Sequence, residues 1–311
     1  METKSSSFFQ YDLSIILPRY REGIEEIVST LDKFGCIRDR LSAELIIVDD
    51  GGSSNIFPEI RKHLSGVKII RNKKNSGKGF SIREGVKKAQ GQIIFYSDID
   101  LPVSLESIFE GYALMRSGTQ PRFLIGTRTG TAFRGDDKKT RYRKFTSRFF
   151  LRAFNFLLEP QIKDSQCPCK FFSAEFAKQI FSKNSLNGYA FDAELIHMAR
   201  LMGIEISQFD VIWSDTRASW GKFKTARVFL RMLADLLRIR LYWIIMRRRL
   251  KQPSKVIRQK LVRHLDPSIH ESLVEAKSSS CEDSEPISAA QTCDVSESRR
   301  SSEPRITGRI F

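Results

Sequence analysis

Gln92-Ile93-Ile94-Phe95-Tyr96-Ser97-Asp98-Ile99-Asp100 is the stretch that decides how this chain reads. An apolar run ends directly in two acids separated by one residue. Upstream, Glu44-Leu45-Ile46-Ile47-Val48 ends in Asp49-Asp50 in the same way. Short continuous apolar runs mark strands buried on both faces of a mainly parallel sheet, and such sheets bind ligands just beyond the carboxyl ends of their strands. Two strands finishing in paired acids predict four carboxylates, Asp49, Asp50, Asp98 and Asp100, on one rim. Crowded carboxylates repel one another, so the rim calls for a cation, and hard oxygen ligands beside phosphate suit Mg²⁺ or Mn²⁺. The competing reading makes each acid the cap of a following helix.

Outward from these two runs, further strand-like segments lie at residues 13–17, 67–70, 123–127 and 208–213. Helical patterning fills 22–34, 56–64 and 78–89 between the first four strands. Strand and helix in alternation predict βαβ units, hence an α/β fold. Residues 138–158 read as a long basic and aromatic helix, and 191–202 as another. No internal repeat is visible.

The chain has 311 residues, 41% of them apolar, enough for a substantial core in one large or two ordinary domains. Its five cysteines are odd in number and irregularly spaced, which argues against a disulfide framework, and Cys167 and Cys169 have no second pair with which to make a zinc site. A reducing, cytoplasmic setting is expected. Residues 1–10 contain no apolar signal core.

The net charge of +16 is unevenly placed, since fifteen Lys and Arg stand against two Asp between residues 215 and 263. Membrane surface, nucleic acid and lipid phosphate are the anionic partners this stretch suits. Within it, residues 227–246 are long enough to span a bilayer, but Arg231, Asp235, Arg238 and Arg240 oppose insertion. At helical spacing Leu230, Leu233, Leu237, Leu241 and Ile244 form one stripe opposite Arg227, Arg231, Asp235 and Arg238, and Arg247-Arg248-Arg249 follows. The pattern predicts an amphipathic helix lying on an anionic membrane, with packing of the stripe on the protein as the alternative. The domains expected are an extension over 1–10, a core over 11–224, basic helices over 225–263 and a Ser- and Glu-rich disordered tail over 264–311.

Four more segments sit where strands end or helices begin. Pro18-Arg19-Tyr20-Arg21-Glu22 offers a ring to stack on a base and an acid to accept its N–H. Asn75-Ser76-Gly77-Lys78-Gly79 opens a helix with a lysine suited to phosphate, although the first glycine of a P-loop is missing. Gly126-Thr127-Arg128 ends a strand in a fixed positive charge. Asp164-Ser165-Gln166-Cys167-Pro168-Cys169-Lys170 is polar and then turns into an apolar helix.

Taken in order over residues 13–224, these segments resemble the inverting family 2 glycosyltransferases of GT-A fold. The branch they look most like is the dolichyl- and polyprenyl-phosphate mannose and glucose synthases. The matching pieces are Pro18-x-Tyr20-x-Glu22, Asp49-Asp50-Gly51, Asn75-x-Gly77-Lys78-Gly79, Asp98-x-Asp100-Leu101, Gly126-x-Arg128, Asp164-Ser165-Gln166-Cys167 and Phe191-Asp192-x-Glu194.

The resemblance implies a mixed, mainly parallel sheet flanked by helices. It implies that Pro18, Tyr20, Glu22 and Asp49 line the nucleotide of a UDP- or GDP-hexose, with Asp50 and Lys78 in the same binding set. Asp98 and Asp100 would hold the divalent metal on the diphosphate, Arg128 would face the acceptor phosphate, and Asp164 would lie nearest the acceptor. Asp100, Asp164 and Arg128 are the catalytic candidates. A polyprenyl phosphate oxygen is already ionised at neutral pH, so a strong general base is unnecessary in a chain with four histidines. The chain departs from the family pattern at Arg21, where Asn is usual, at Gly52 and Ser54, at Pro102 and at Pro168-Cys169. The expected protein is a peripheral membrane enzyme on the cytoplasmic face that does not bind nucleic acid. The alternatives are a glycan, protein or other lipid acceptor, or a non-catalytic membrane or nucleic-acid binder of the same fold.

Overall fold

Residues 9–52, 67–128, 138–158, 161–213 and 225–251 are described by the computed structural model. The strands are β1 Tyr11–Arg19, β2 Ala43–Asp49, β3 Val67–Arg71, β4 Gly91–Tyr96, β5 Phe123–Thr127, β6 Lys170–Ser173 and β7 Ile206–Asp210. They form one sheet in the order β3-β2-β1-β4-β6-β5-β7. All pairings are parallel except those of β6, which runs antiparallel to both β4 and β5. The sheet is therefore mainly parallel, as the apolar runs imply, and mixed, as the resemblance implies. The helices are α1 Ile24–Arg38, α2 Lys78–Lys88, α3 Leu105–Arg116, α4 Lys138–Leu157, α5 Ala174–Lys183, α6 Phe191–Leu201 and α7 Thr225–Lys251.

Alternation along the strands divides the core between the two faces of the sheet. Ile16, Ile46, Val48, Ile94, Tyr96 and Phe172 face a layer containing Ile82 and Val86 of α2, Phe154 of α4, Ile180 of α5 and Leu195 of α6. Ile15, Leu17, Leu45, Ile47, Phe95 and Phe171 face α1 and α3. Helix α1 presents Ile27, Leu31 and Phe34 at one-turn spacing to that second layer. Helix α3 is capped by Ser104, whose Oγ accepts the Ser107 N–H at 3.2 Å.

Three expectations change. The polar stretch at 164–170 leads into β6 before its helix begins, because Phe171 and Phe172 each fill one face of the sheet between β4 and β5. The last strand is Ile206–Asp210, and residues 211–213 continue past it to an isolated bridge between Val103 and Trp213. The helix at 225–251 is not set apart from the core. The compact unit that holds the sheet runs to Arg247. Leu236 and Ile239 of α7 are buried, and Phe229, Met232, Leu233 and Trp243 pack beside them. Leu230, Leu237 and Leu241, at 63%, 52% and 58% exposure, are left outside. The expected stripe is thus split, since Leu233 lies on the side that the domain covers. The helix expected at 56–64, the tail at 264–311 and residues 252–263 fall outside the described residues.

The loop before α2 also has a reason other than phosphate. Gly77 has φ 101°, and a Cβ there would strike the Asn187 carbonyl. A Cβ on Gly79 would lie 2.6 Å from both the Leu186 oxygen and the Phe191 Cβ. The Gly79 N–H donates to the Asn187 oxygen at 2.8 Å. Both glycines therefore seat the start of α2 against the loop before α6. Gly79→Ala should cost about 1–3 kcal/mol of stability through overpacking. An unchanged urea midpoint would contradict this close approach.

Candidate active site

Strands β1, β2 and β3 step outward in one direction while β4 lies on the other side of β1, so the crevice of this sheet opens where β1 and β4 end. The parallel pairings bring the ends of β2 and β3 to the same edge, and the two reversals at β6 return those of β5 and β7 to it. Antiparallel β6 begins there, which places the 164–170 segment on the rim as well.

At the end of β1, Arg19 is 1% exposed. Its Nη1 lies 3.0 Å from Asp49 Oδ1, and its Nε and Nη2 donate to the Glu22 carbonyl at 3.1 and 2.8 Å. Arg71 Nε approaches Asp49 Oδ2 at 3.3 Å, and the Gly52 N–H reaches Oδ1 at 3.2 Å. The turn carrying Tyr20 is thereby tied to Asp49. Arg21 has φ 74°, a conformation that asparagine tolerates more readily, and its guanidinium lies 4.9 Å from the centre of the exposed Tyr20 ring. Glu22 accepts the Tyr20 N–H. Pro18, Tyr20, Glu22 and Asp49 do come together, but Asp49 is held between two guanidinium groups.

Asp50 faces elsewhere. Its carboxylate accepts from Asn72 Nδ2 at 2.8 Å, Ser76 N at 2.8 Å and Gly77 N at 2.7 Å. Asp50, expected in the nucleotide-binding set, anchors the loop that carries Lys78. Lys78 Nζ in turn meets Asp98 Oδ1 at 2.7 Å. Burial works against the lysine's charge, but Asp98 and then Asp192 more than offset it and hold the ammonium above its ordinary range.

The turn after β4 is gripped from α1. Thr30 Oγ1 donates to the Ile99 carbonyl, and Lys33 Nζ donates to the carbonyls of Asp100 and Leu101 at 3.0 and 2.8 Å. Leu101 has φ 41°, so the turn takes a shape its own residues disfavour. Pattern reading missed Thr30 and Lys33. The available signal was a hydroxyl and an amine three residues apart on one helix, where both can reach a single turn.

Across the rim, Arg128 and Asp164 form a two-pronged ion pair, Nε to Oδ2 at 2.6 Å and Nη2 to Oδ1 at 2.9 Å. The guanidinium lies 5.1 Å from the centre of the Trp213 ring. Burial disfavours both charges, but each partner overcomes that for the other, so Asp164 titrates below the usual carboxylate range and Arg128 above its own. Beneath them Lys170 is fully buried. It meets Asp192 Oδ1 at 2.9 Å and donates to the Cys167 carbonyl at 2.6 Å, and the Tyr96 hydroxyl donates to the same Asp192 oxygen. Pattern reading assigned Lys170 no role, because its partner Asp192 is brought to it from α6. Burial, and then Asp164, push the Cys167 thiol up to about 12, and burial raises Cys169 well above its usual value, so neither is poised to react.

The four-acid rim expected from the sequence is therefore divided. Asp49 and Asp50 serve Arg19, Arg71 and the Lys78 loop, while Asp98 and Asp100 remain together on the crevice. Among the described residues no group of three or more His, Cys, Asp or Glu could hold a metal. Two carboxylates still fit Mg²⁺ or Mn²⁺, which commonly bind one or two protein carboxylates and take their other ligands from phosphate and water. Ser97 Oγ, Ser165 Oγ and Gln166 Nε2 are buried on this rim without a hydrogen-bond partner. Such orphans call for a ligand.

Residues 14–181 match the family model described as glycosyl transferase family 2. The chain is 30% identical over 259 residues to the dolichyl-phosphate beta-glucosyltransferase of Homo sapiens, covering 78% of this chain and 79% of that protein. A dolichyl-phosphate beta-glucosyltransferase of Trichomonas vaginalis is 26% identical over 251 residues, covering 75% of this chain and 74% of that one. In fold, glucosyl-3-phosphoglycerate synthase from Mycobacterium tuberculosis, solved with Mn²⁺, UDP and phosphoglyceric acid, aligns with a TM-score of 0.54 at 18% identity, covering 74% of this chain and 79% of that one. With its seven-stranded mixed sheet and the acids on its crevice, this chain belongs to glycosyl transferase family 2, as a glycosyltransferase of GT-A fold.

Proposed function

We propose that this enzyme transfers a hexose, glucose by similarity to its relatives, from a UDP- or GDP-sugar to a polyprenyl phosphate of dolichyl type, with inversion. The observation that carries this reading is the pairing of two charged stations on one rim. Lys78 beside Asp98 suits a diphosphate, and Arg128 beside Asp164 suits a second phosphate. The sequence relatives, named as dolichyl-phosphate beta-glucosyltransferases, supply the acceptor class.

Pro18, Tyr20, Glu22 and Asp49 line the base and ribose, with Arg19 keeping the turn in place. Asp98 and Asp100 hold Mg²⁺ or Mn²⁺, which when bound neutralises charge on the leaving diphosphate. Lys78 adds a fixed positive charge on the same group. Arg128 orients the acceptor phosphate, whose ionised oxygen attacks without a protein base, and Asp164 holds Arg128 in its working direction.

The acceptor also explains the outer face of α7. Among the described residues no helix is long and apolar enough to cross a membrane. Leu230, Leu237, Leu241 and Ile245 are exposed beside exposed Arg231 and Arg238, and Arg247-Arg248-Arg249 follows in sequence. Exposed leucines with arginines at about 1 kcal/mol per charge support reversible docking on the cytoplasmic face of an anionic membrane.

A panel of UDP- and GDP-hexoses with Mn²⁺ or Mg²⁺, scored for transfer to polyprenyl phosphate, tests the reaction. No product from any donor would overturn it. Asp100→Ala should keep the parent's melting temperature and lose transfer by at least about a hundredfold; full activity would remove Asp100 from the metal site. Leu237→Asp combined with Leu241→Asp should abolish co-flotation with anionic liposomes while leaving transfer to a short water-soluble acceptor intact. Undiminished flotation would place the docking surface elsewhere.

A further inference from the structure

Lys78 holds an acid that the donor's metal needs. Its ammonium sits 2.7 Å from Asp98 Oδ1, with both side chains more than four-fifths buried. The backbone beneath it has no room to move. Asp50 clamps the N–H groups of Ser76 and Gly77, and the two flanking glycines abut the 186–188 loop. The lysine stem is left as the mobile part, at the first residue of a helix, where backbone N–H groups and the helix dipole favour an anion.

We propose that Lys78 is an exchangeable counter-ion, which neutralises Asp98 in the empty site and passes to the donor diphosphate when that group arrives with its divalent cation. The inference rests on the nucleotide-sugar reading above. The charges balance in the exchange. The ammonium–carboxylate pair and the metal–diphosphate pair become a metal–carboxylate pair and an ammonium–diphosphate pair, and no charge is left buried alone. A bare cation arriving first must break the Lys78–Asp98 pair and leave the ammonium beside it, with Asp192, already paired to Lys170, as a weaker counter-charge. Like charges at that range repel strongly in a partly buried site. The free enzyme therefore excludes the metal, and metal and nucleotide enter together. With two crevice carboxylates and no third acid in the group among the described residues, the site depends on phosphate for its remaining ligands.

The test is Mn²⁺ binding to the full chain, followed by the electron paramagnetic resonance signal of the free ion, without nucleotide and with saturating UDP or GDP. Lys78→Met should bind Mn²⁺ alone about tenfold more tightly than the parent, and Mn²⁺ with nucleotide about tenfold more weakly. Lys78→Arg, which keeps the charge, should exclude bare Mn²⁺ as the parent does. Lys78→Gln carries the same comparison if the methionine variant fails to fold. If the parent binds Mn²⁺ with nucleotide but removing the lysine charge does not tighten binding of Mn²⁺ alone, the counter-ion role is overturned and the donor site stands. If the parent binds no Mn²⁺ with either nucleotide, the donor-site reading falls and the exchange falls with it.

Discussion

The pairing of β1 with β2 on one side and β4 on the other constrains everything else in this molecule. It sets Arg19 opposite Asp49 and Ile16 opposite Tyr96, so the turn at Pro18–Glu22 and the turn at Asp98–Leu101 emerge side by side. A parallel sheet leaves its strand ends without neighbours, and a reversal of strand order opens a crevice at that point. The crevice here lies between a turn suited to a nucleotide and a pair of acids suited to a metal. Antiparallel β6 then carries the 164–170 segment back to the same edge, beside Arg128.

The second organising feature is the pairing of buried charge. Asp49 is met by Arg19 and Arg71, Asp98 by Lys78, Asp164 by Arg128 and Asp192 by Lys170. Unpaired, these acids would resist ionisation or destabilise the fold, because burial penalises each charge. Paired, they keep a highly charged site intact while it is empty. Some pairs support others: Asp50 fixes the loop that aims Lys78, and Lys170 fixes the Cys167 carbonyl beneath the Arg128–Asp164 pair. The pairs nearest the crevice are the ones a bound phosphate can exchange with.

Much of this was legible in the chain. Apolar runs ending in acids located β2 and β4, and the alternation of strand and helix predicted the α/β class, because burial on both faces demands continuous apolar side chains. The order of short motifs from Pro18 to Glu194 matched the family. Strand β6 escaped notice because four residues beginning with lysine do not look like a buried strand, and the charge of Lys170 is matched there by Asp192, a residue supplied by α6. The amphipathic pattern of α7 was readable, but which side the domain would cover was not, since one helix offered apolar groups on two sides.

The sequence by itself determined the fold class, the strand ends and the residue types available for chemistry, because periodicity and spacing are local properties of a chain. Tertiary structure alone decided which acids remain on the crevice. Asp49-Asp50 and Asp98-Ile99-Asp100 look equivalent in sequence. The first pair is claimed by Arg19, Arg71 and the Ser76–Gly77 backbone, and the second is steered by Thr30 and Lys33 from α1 and matched by Lys78 from α2. A carboxylate's role depends on which cation and which N–H reach it within about 3 Å, and those partners come from elements far away in the chain.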